Sequence, residues 1–454
     1  MPDISLLIPS GAQYILRKLM ACQYHAYLVG GCVRDLLLGK TPHDYDITTN
    51  ATPEQIHSVF DATNPIIDTG IKHGTVTVIS TDNQLYEVTT FRTESGYSDN
   101  RHPDTVSFVN DITKDLARRD FTINAIAMDI NGEIIDPFSG QNDLANGVVR
   151  CVGNPDDRFA EDALRILRAI RFTATYPFVM DWNTMDAVRR NKDKLPNISA
   201  ERLRDEFCKI LSGLTPFYAL HTFSDIISVI IPEITPCIGF QQNSIWHTYD
   251  VYTHIIHAVR IYNENGGTDL QVKLALFFHD IGKPDCCTAD DEGHHHFHGH
   301  GAVSSQITDT IMQRLRFDNH TRNAVVKLVY WHDVFIEATK PVCRRWLNKL
   351  GPDLFRQLLL IRRADILAQS SYQREPRLAK VDLLEQLLNE ILEEQSCFSM
   401  KNLQVNGHDM ITLGLCPGPD IGAALNKLLQ AVIAEQIPNE KSALIQYVKE
   451  NILS

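Results

Sequence analysis

The sequence has no run approaching the roughly 18 unbroken apolar residues that a membrane span needs, so no spanning helix is expected. It has no excess of base: 43 Lys and Arg stand against 56 Asp and Glu, a formal net charge of −13. Overall charge therefore gives no affinity for nucleic acid, and only a local basic stripe could supply it. The ten cysteines include no CxxC spacing, and Cys286 and Cys287 are adjacent, which suits neither an ordinary disulfide nor a zinc clip. Reduced thiols, and with them a cytoplasmic location, are expected. The stretch from Met1 to Met20 lacks the basic, apolar, small order of a signal peptide. No repeat of fixed period is present.

A length of 454 residues with 44% apolar content predicts more than one core. From about Ala26 to Pro137, short apolar runs alternate with helical segments. Ala26-Tyr-Leu-Val, Thr75-Val-Thr-Val-Ile and Leu85-Tyr-Glu-Val-Thr-Thr-Phe read as strands, and Pro53 to Phe60 as a helix that Thr52 caps. Beyond about Arg158 the strand signal nearly vanishes, and Leu, Ile and Ala recur at helical spacing, as from Ala163 to Phe172. The expected architecture is a mixed α/β head followed by a long all-α body.

Val29-Gly-Gly-Cys-Val-Arg-Asp runs from a strand into a helix. Gly30 and Gly31 read either as a plain tight turn or as one that lets backbone N–H groups approach a phosphate. His43-Asp-Tyr-Asp-Ile-Thr follows, with Asp44 and Asp46 two apart on an expected strand and so on one face. Two such carboxylates repel unless a divalent cation sits between them; the alternative is a solvated pair in a turn. Glu87 reads equally as an exposed strand residue or as a third ligand. Asp162 and Arg165, three apart on an expected helix, read as a solvated ion pair or as an acceptor and donor set for a base edge.

These pieces in series resemble class II CCA-adding enzymes and bacterial poly(A) polymerases. The motifs are Val29-Gly-Gly to Asp46, Arg118-Arg-Asp-Phe-Thr-Ile-Asn-Ala, Asp136-Pro-Phe-Ser-Gly, Glu161-Asp-Ala-Leu-Arg and Glu201-Arg-Leu-Arg-Asp-Glu. Ala163 stands where many relatives carry proline. The resemblance implies catalysis by Asp44, Asp46 and Glu87, with Mg2+ on Asp44 and Asp46. It implies nucleotide contacts from Gly30, Gly31, Arg34, Arg119, Asp120, Asn124, Glu161, Asp162, Arg165, Arg168 and Arg171, with Asp162 and Arg165 reading the base. Arg165, Arg168, Arg171, Arg202 and Arg204 would form the local positive stripe. The implied substrates are tRNA, CTP and ATP, and no membrane is involved. The polar stretch between Arg92 and Val106 resembles the loop needed for the final A, kept flexible by Gly96, Ser98 and Asn100. It favours full CCA addition and leaves A-only addition open.

A second constellation lies in the helical body. Trp246 to His254, Phe278-His-Asp-Ile-Gly-Lys-Pro, His294 to His300, Tyr330-Trp-His-Asp and Arg363-Ala-Asp follow one another. Imidazole and carboxylate together suit divalent transition metals. The order resembles the HD superfamily of metal-dependent phosphohydrolases. The resemblance implies a metal site of His254, His279, Asp280 and Asp365, holding Mn, Co or Ni. His300 and His332 would serve a second metal or a phosphate. The residues from Phe398 onward resemble the tail of bacterial CCA-adding enzymes that contacts the tRNA elbow, although a Gly-Pro turn between two helices is an equal reading. The expected division is 1–150, an α/β nucleotidyltransferase head; 151–240, a helical neck; 241–370, an HD domain; and 371–454, a tRNA-binding tail. A poly(A) polymerase, or an HD phosphohydrolase with a non-catalytic head, are the competing readings.

Overall fold

The computed structural model describes residues 7–60, 64–96, 103–394 and 396–453. Ser98 and Asn100 of the polar loop lie outside these. The chain divides into two compact units, Met1–Pro232 and Glu233–Ser454.

Nine short strands form the α/β part of the first unit: β1 (Ala26–Val29), β2 (Ile47–Thr49), β3 (Ile66–Gly70), β4 (Thr75–Ile79), β5 (Leu85–Thr90), β6 (Arg92–Ser95), β7 (Thr105–Phe108), β8 (Ala127–Met128) and β9 (Ile134–Ile135); two further two-residue strands, Val148–Val149 and Val179–Met180, pair in parallel after them. Seven form one sheet in the order β3-β4-β5-β2-β1-β8-β9, and β6 pairs with β7 as a separate hairpin. Only β2 and β5 run parallel in the large sheet, with Ile47 opposite Val88. Along β5, Tyr86, Val88 and Thr90 are buried while Leu85 and Glu87 are exposed, the period of two expected of a half-buried strand. Thr52 caps the helix Pro53–Phe60: its hydroxyl accepts from Gln55 N (3.4 Å), and its own N–H donates to Gln55 Oε1 (2.8 Å).

Asp136-Pro-Phe-Ser-Gly is a built turn. Asp136 accepts from Gly140 N at 2.7 Å and Gln141 N at 2.9 Å, starting the helix Gly140–Ala145. A Cβ at Gly140 would lie 2.2 Å from the Thr122 carbonyl oxygen, a backbone atom that cannot step aside. Gly140→Ala is therefore expected to destabilise the first unit by about 1–3 kcal/mol, the usual range for overpacking. Denaturant unfolding checks this, and an unchanged midpoint would refute it.

Asp44 and Asp46 are not on a strand. They lie in the extended segment just before β2, which begins at Ile47. That segment still borders the sheet, because the Asp46 carbonyl accepts from Val29 N (3.0 Å). A second difference concerns Asp162. It does not share a helix with Arg165: the helix Pro155–Glu161 ends there, Asp162 is extended (φ −142°, ψ 105°), and a new helix runs Leu164–Thr175. The cause is local, since the Asp162 carboxylate accepts from Leu164 N (3.0 Å), as a capping acid does.

The second unit is helical, but not wholly so. Two-residue strands Thr288–Ala289 and His295–His296 pair into a hairpin where the sequence predicts only a His-rich loop. The helix Leu270–Phe278 is buried without interruption from Val272 to Phe278, the pattern of a helix enclosed on all sides. It delivers His279 and Asp280 into the interior. The tail packs Met410, Leu428, Leu429, Ile433, Leu444 and Val448 in its own cluster, and Gly418 (φ +146°) turns the chain into the helix Pro419–Ile433. Among the described residues no helix is long and apolar enough to cross a membrane.

Candidate active site and candidate metal centre

Gly30 closes β1 at φ +80°, and the helix Gly31–Leu37 follows. A Cβ at Gly30 would come 2.9 Å from an Arg119 guanidinium nitrogen, so the turn needs glycine for both conformation and clearance. Arg119 is partly buried, 3.6 Å from Asp115, and its buried Nε has no protein partner. Burial lowers its pKa, with Asp115 opposing. Asp46 is half-buried, and its carboxyl is pushed up, first by desolvation and then by Glu87 and Asp44, against the attraction of Arg119. Asp44 and Glu87 are thus both within electrostatic reach of Asp46. Their oxygens do not close into a tight ligand group among the described residues, as expected of like charges that repel.

Beside this edge runs a hydrogen-bonded chain. Arg34 donates to Asn124 Oδ1 (2.7 Å), Asn124 donates to Asp120 Oδ1 (3.1 Å), and Arg168 clasps Asp120 Oδ2 through Nε (2.8 Å) and a terminal nitrogen (2.5 Å). Burial works against the Asp120 charge, yet Arg168, the Asn124 amide and Arg165 outweigh it and hold the carboxyl well below the usual range. Arg34 also packs over the rings of Phe172 and Tyr176, and the Tyr176 hydroxyl donates to Asp35 (2.8 Å). The sequence reading missed Asp35, Tyr176 and the fully buried Asp115. Only Asp115 left a signal, three and four residues before Arg118 and Arg119.

The expected positive stripe is a ladder of ion pairs. Arg165 pairs with Glu161 (2.5 Å), Arg168 with Asp120 (2.5 Å), Arg171 with Glu206 (3.0 Å), Arg202 with Asp162 (2.7 Å) and Arg204 with Asp205 (2.8 Å). Glu161 also holds Arg158. Asp162 and Arg165 are therefore each fixed by a separate partner rather than by one another. Desolvated guanidinium groups need such partners, which is why the stripe carries its own acid.

In the second unit, six predicted residues converge in the interior. His254 Nε2 lies 3.2 Å from His279 Nε2, 3.3 Å from Asp280 Oδ2 and 3.0 Å from Asp365 Oδ1. His300 Nε2 lies 3.0 Å from His332 Nε2 and 3.2 Å from Asp280 Oδ1. Asp280 therefore divides its two oxygens between two histidine pairs, and each triad is compact enough for an ion. His279, His300 and His332 each place Nδ1 against a backbone carbonyl three residues earlier, at 2.7–2.8 Å. A Nδ1–H that donates there turns an Nε2 lone pair inward, the arrangement that prepares a ligand. Facing lone pairs at 3.0–3.2 Å repel unless a proton or a cation lies between them. Burial opposes a proton on His279, but Asp280 and Asp365 push its pKa up to about 10, whereas burial holds His332 below its ordinary value. Lys283, to which the sequence reading gave no role, lies 2.7 Å from Asp280 Oδ2 and donates to Gln242 Oε1 (2.8 Å).

Comparison with known proteins gives the following. Residues 26–150 match the family model of the poly(A) polymerase head domain, 177–237 that of an RNA- and SrmB-binding site of polymerase A, and 303–448 that of tRNA nucleotidyltransferase domain 2. The CCA-adding enzyme of Lactobacillus helveticus is 32% identical over 99% of this chain and 98% of its own length. That of Ligilactobacillus salivarius is 33% identical over 96% and 95%. Among solved structures, the Bacillus stearothermophilus CCA-adding enzyme in complex with CTP superposes with a TM-score of 0.72 at 28% identity, covering 97% of this chain and 96% of that one. The Thermotoga maritima CCA-adding enzyme complexed with tRNA shares the fold, with a TM-score of 0.60 at 22% identity over 99% and 98%.

Proposed function

The chain belongs to the CCA-adding enzymes, and from that membership we propose that it adds C, C and A to the 3′ end of tRNA, consuming CTP and ATP and releasing pyrophosphate. The observation that carries the reading is likeness to such enzymes along nearly the whole chain, with the Asp46 carboxyl crowded by Asp44 and Glu87 beside the Gly30 turn. Asp44, Asp46 and Glu87 are the residues that would hold Mg2+, an all-oxygen donor set that suits a hard cation. Two such ions would supply, when bound, activation of the 3′ hydroxyl by one and neutralisation of the triphosphate by the other. In each addition the primer's 3′ oxygen bonds to the α-phosphorus and the bond to the bridging oxygen breaks. Pyrophosphate leaves with that electron pair, and the hydroxyl proton passes to solvent. Arg119 is assigned to the triphosphate, and the Arg34–Asn124–Asp120–Arg168 chain to the ribose.

Asp162 and Arg165 are assigned to the base edge, the first as acceptor and the second as donor. Asp162→Ala or Arg165→Ala is expected to relax base choice, by roughly 5- to 150-fold if the pair is worth what a good bidentate base contact is worth. Competition of UTP and GTP against CTP and ATP measures it. A slower enzyme with unchanged preference would mean a structural role. The activity itself is tested with tRNA lacking its 3′ end, given CTP, ATP or both. Product length separates CCA addition from A-only addition and from poly(A) synthesis.

A second activity is proposed for the buried cluster, on the strength of the Asp280-bridged histidine pairs and their resemblance to HD phosphohydrolases. His254, His279, Asp280 and Asp365 would hold one transition metal, and Asp280, His300 and His332 would serve a second. Mixed imidazole and carboxylate donors suit Mn, Co or Ni. Such ions would, when bound, supply Lewis-acid activation of water. Hydrolysis then adds water across a phosphate ester bond, giving an alcohol and a phosphate. Lys283 holds positive charge beside Asp280, where it would meet the phosphate.

A further inference from the structure

Arg34 and Asp35 are neighbours on the helix Gly31–Leu37, yet they pair. Asp35 Oδ1 accepts from Arg34 Nε (2.9 Å) and from a terminal nitrogen (2.8 Å). Adjacent residues on a helix do not face each other, so such a pair gains from a third group that keeps the carboxylate turned toward the guanidinium. The Tyr176 hydroxyl is that group. It donates to the same oxygen at 2.8 Å, from 141 residues along the chain.

Tyr176 is anchored on every side. It follows the helix Leu164–Thr175 in extended backbone (φ −123°, ψ 156°), and its carbonyl accepts from Phe178 N (2.7 Å) and Thr215 Oγ1 (3.2 Å). Its ring stacks on Phe178 (5.1 Å between centroids), with Arg34 5.3 Å and Lys40 4.3 Å from the ring centre. Burial pushes the hydroxyl up to about 12, so at neutral pH it keeps the proton it donates. A phenylalanine would fill nearly the same space; what the hydroxyl adds is the bond to Asp35.

The effect of that bond passes on through Arg34. Arg34 donates to Asn124 Oδ1 (2.7 Å), and Asn124 Nδ2 donates to Asp120 Oδ1 (3.1 Å). A carboxamide has a donor end and an acceptor end. Arg34 and Asp120 together hold the Asn124 amide in one sense, oxygen to the arginine and nitrogen to the aspartate. With Arg34 loose, one of the two contacts that fix this sense is gone. A 2′-hydroxyl both donates and accepts, so it would read the sense of the amide; the C–H of a deoxyribose would not.

Resting on the assignment of this chain to the ribose, we propose that Tyr176, acting through Asp35 and Arg34, is a positioning residue that sets the preference for ribonucleotides over 2′-deoxyribonucleotides. Its hydroxyl touches no reacting group. It fixes the orientation of the residues that do the selecting.

The test uses the full chain and tRNA lacking its 3′ end, with CTP against 2′-deoxy-CTP, and reads the ratio of their kcat/KM values. Tyr176→Phe removes one oxygen and is expected to lower that ratio roughly 2- to 12-fold, what one ordinary hydrogen bond is worth. Phe178→Leu, which loosens the same ring stack and removes no hydroxyl, should leave the ratio where it is. Asn124→Ala should lower the ratio by itself, and Tyr176→Phe should lower it no further in that background, because effects within one network do not add. Arg34→Lys, which keeps the charge and loses the fork, replaces Asn124→Ala if the latter does not fold. If Tyr176→Phe slows both nucleotides equally or changes neither, while Asn124→Ala moves the ratio, the tyrosine is structural and the ribose assignment stands. A ratio moved as much by Phe178→Leu also overturns the proposal, since packing and not the hydroxyl would then be at work. If neither Asn124→Ala nor Tyr176→Phe moves it, the ribose assignment falls and the role of Tyr176 with it.

Discussion

Asp46→Ala is expected to abolish incorporation from both CTP and ATP, by on the order of a thousand-fold or more, as removal of a group that stabilises transition-state charge does. Binding of tRNA should persist, because the proposed reading gives this carboxylate a part in the reaction and none in holding the polynucleotide. The motive is its environment: burial, Glu87 and Asp44 all raise its pKa, and Arg119 alone opposes them. A carboxylate held in such company awaits a countercharge. Asp44→Ala should behave alike, since the metal reading needs both. Primer extension and a gel-shift assay, run together, read the two halves of the expectation. A folded Asp46→Ala protein with near-normal turnover would remove the metal assignment from this edge.

The second large effect should fall on the other site and leave the first untouched. His279→Ala combined with Asp280→Ala is expected to eliminate hydrolysis stimulated by Mn, Co or Ni, while CCA addition continues. Asp280 contacts both histidine pairs, so its loss dismantles both halves of the cluster at once. Its removal also leaves Lys283 as a buried cation without its acid. That loss risks the fold, as does the loss of metal ligands, because metal binding can contribute folding energy directly. Thermal melts with and without metal guard against that. His332→Ala, which spares Asp280, serves as a milder second variant. If the folded double variant loses CCA addition as fully as Asp46→Ala does, the two sites are not independent.

Several features were legible because they are local. The strands β1, β4 and β5 fall where β-branched and aromatic residues cluster, and the Thr52 cap and the Gly30 turn are matters of a few adjacent residues. The helix from Leu164 follows its apolar period. The error at Asp162 came from the same kind of reasoning. Helical spacing to Arg165 is real, but an aspartate that accepts from the N–H two residues on starts a helix as readily as it sits inside one. Period alone does not separate those cases.

By itself the sequence determined the chemistry available: carboxylates only at the head edge, imidazole with carboxylate in the helical body, and an α/β segment ahead of a mainly helical one. Residue type and period are properties of short windows, so they survive without knowledge of the fold. The tertiary structure decided which groups meet. Asp120 takes Arg168 from 48 residues away, Asp162 takes Arg202 from 40, and His300 meets His332 across 32. A net charge of −13 could not reveal that each arginine of the expected stripe is matched by its own acid, nor that Asp280 serves two histidine pairs. Such pairings depend on how buried helices pack, because a charge withdrawn from water must find its partner wherever the packing brings one.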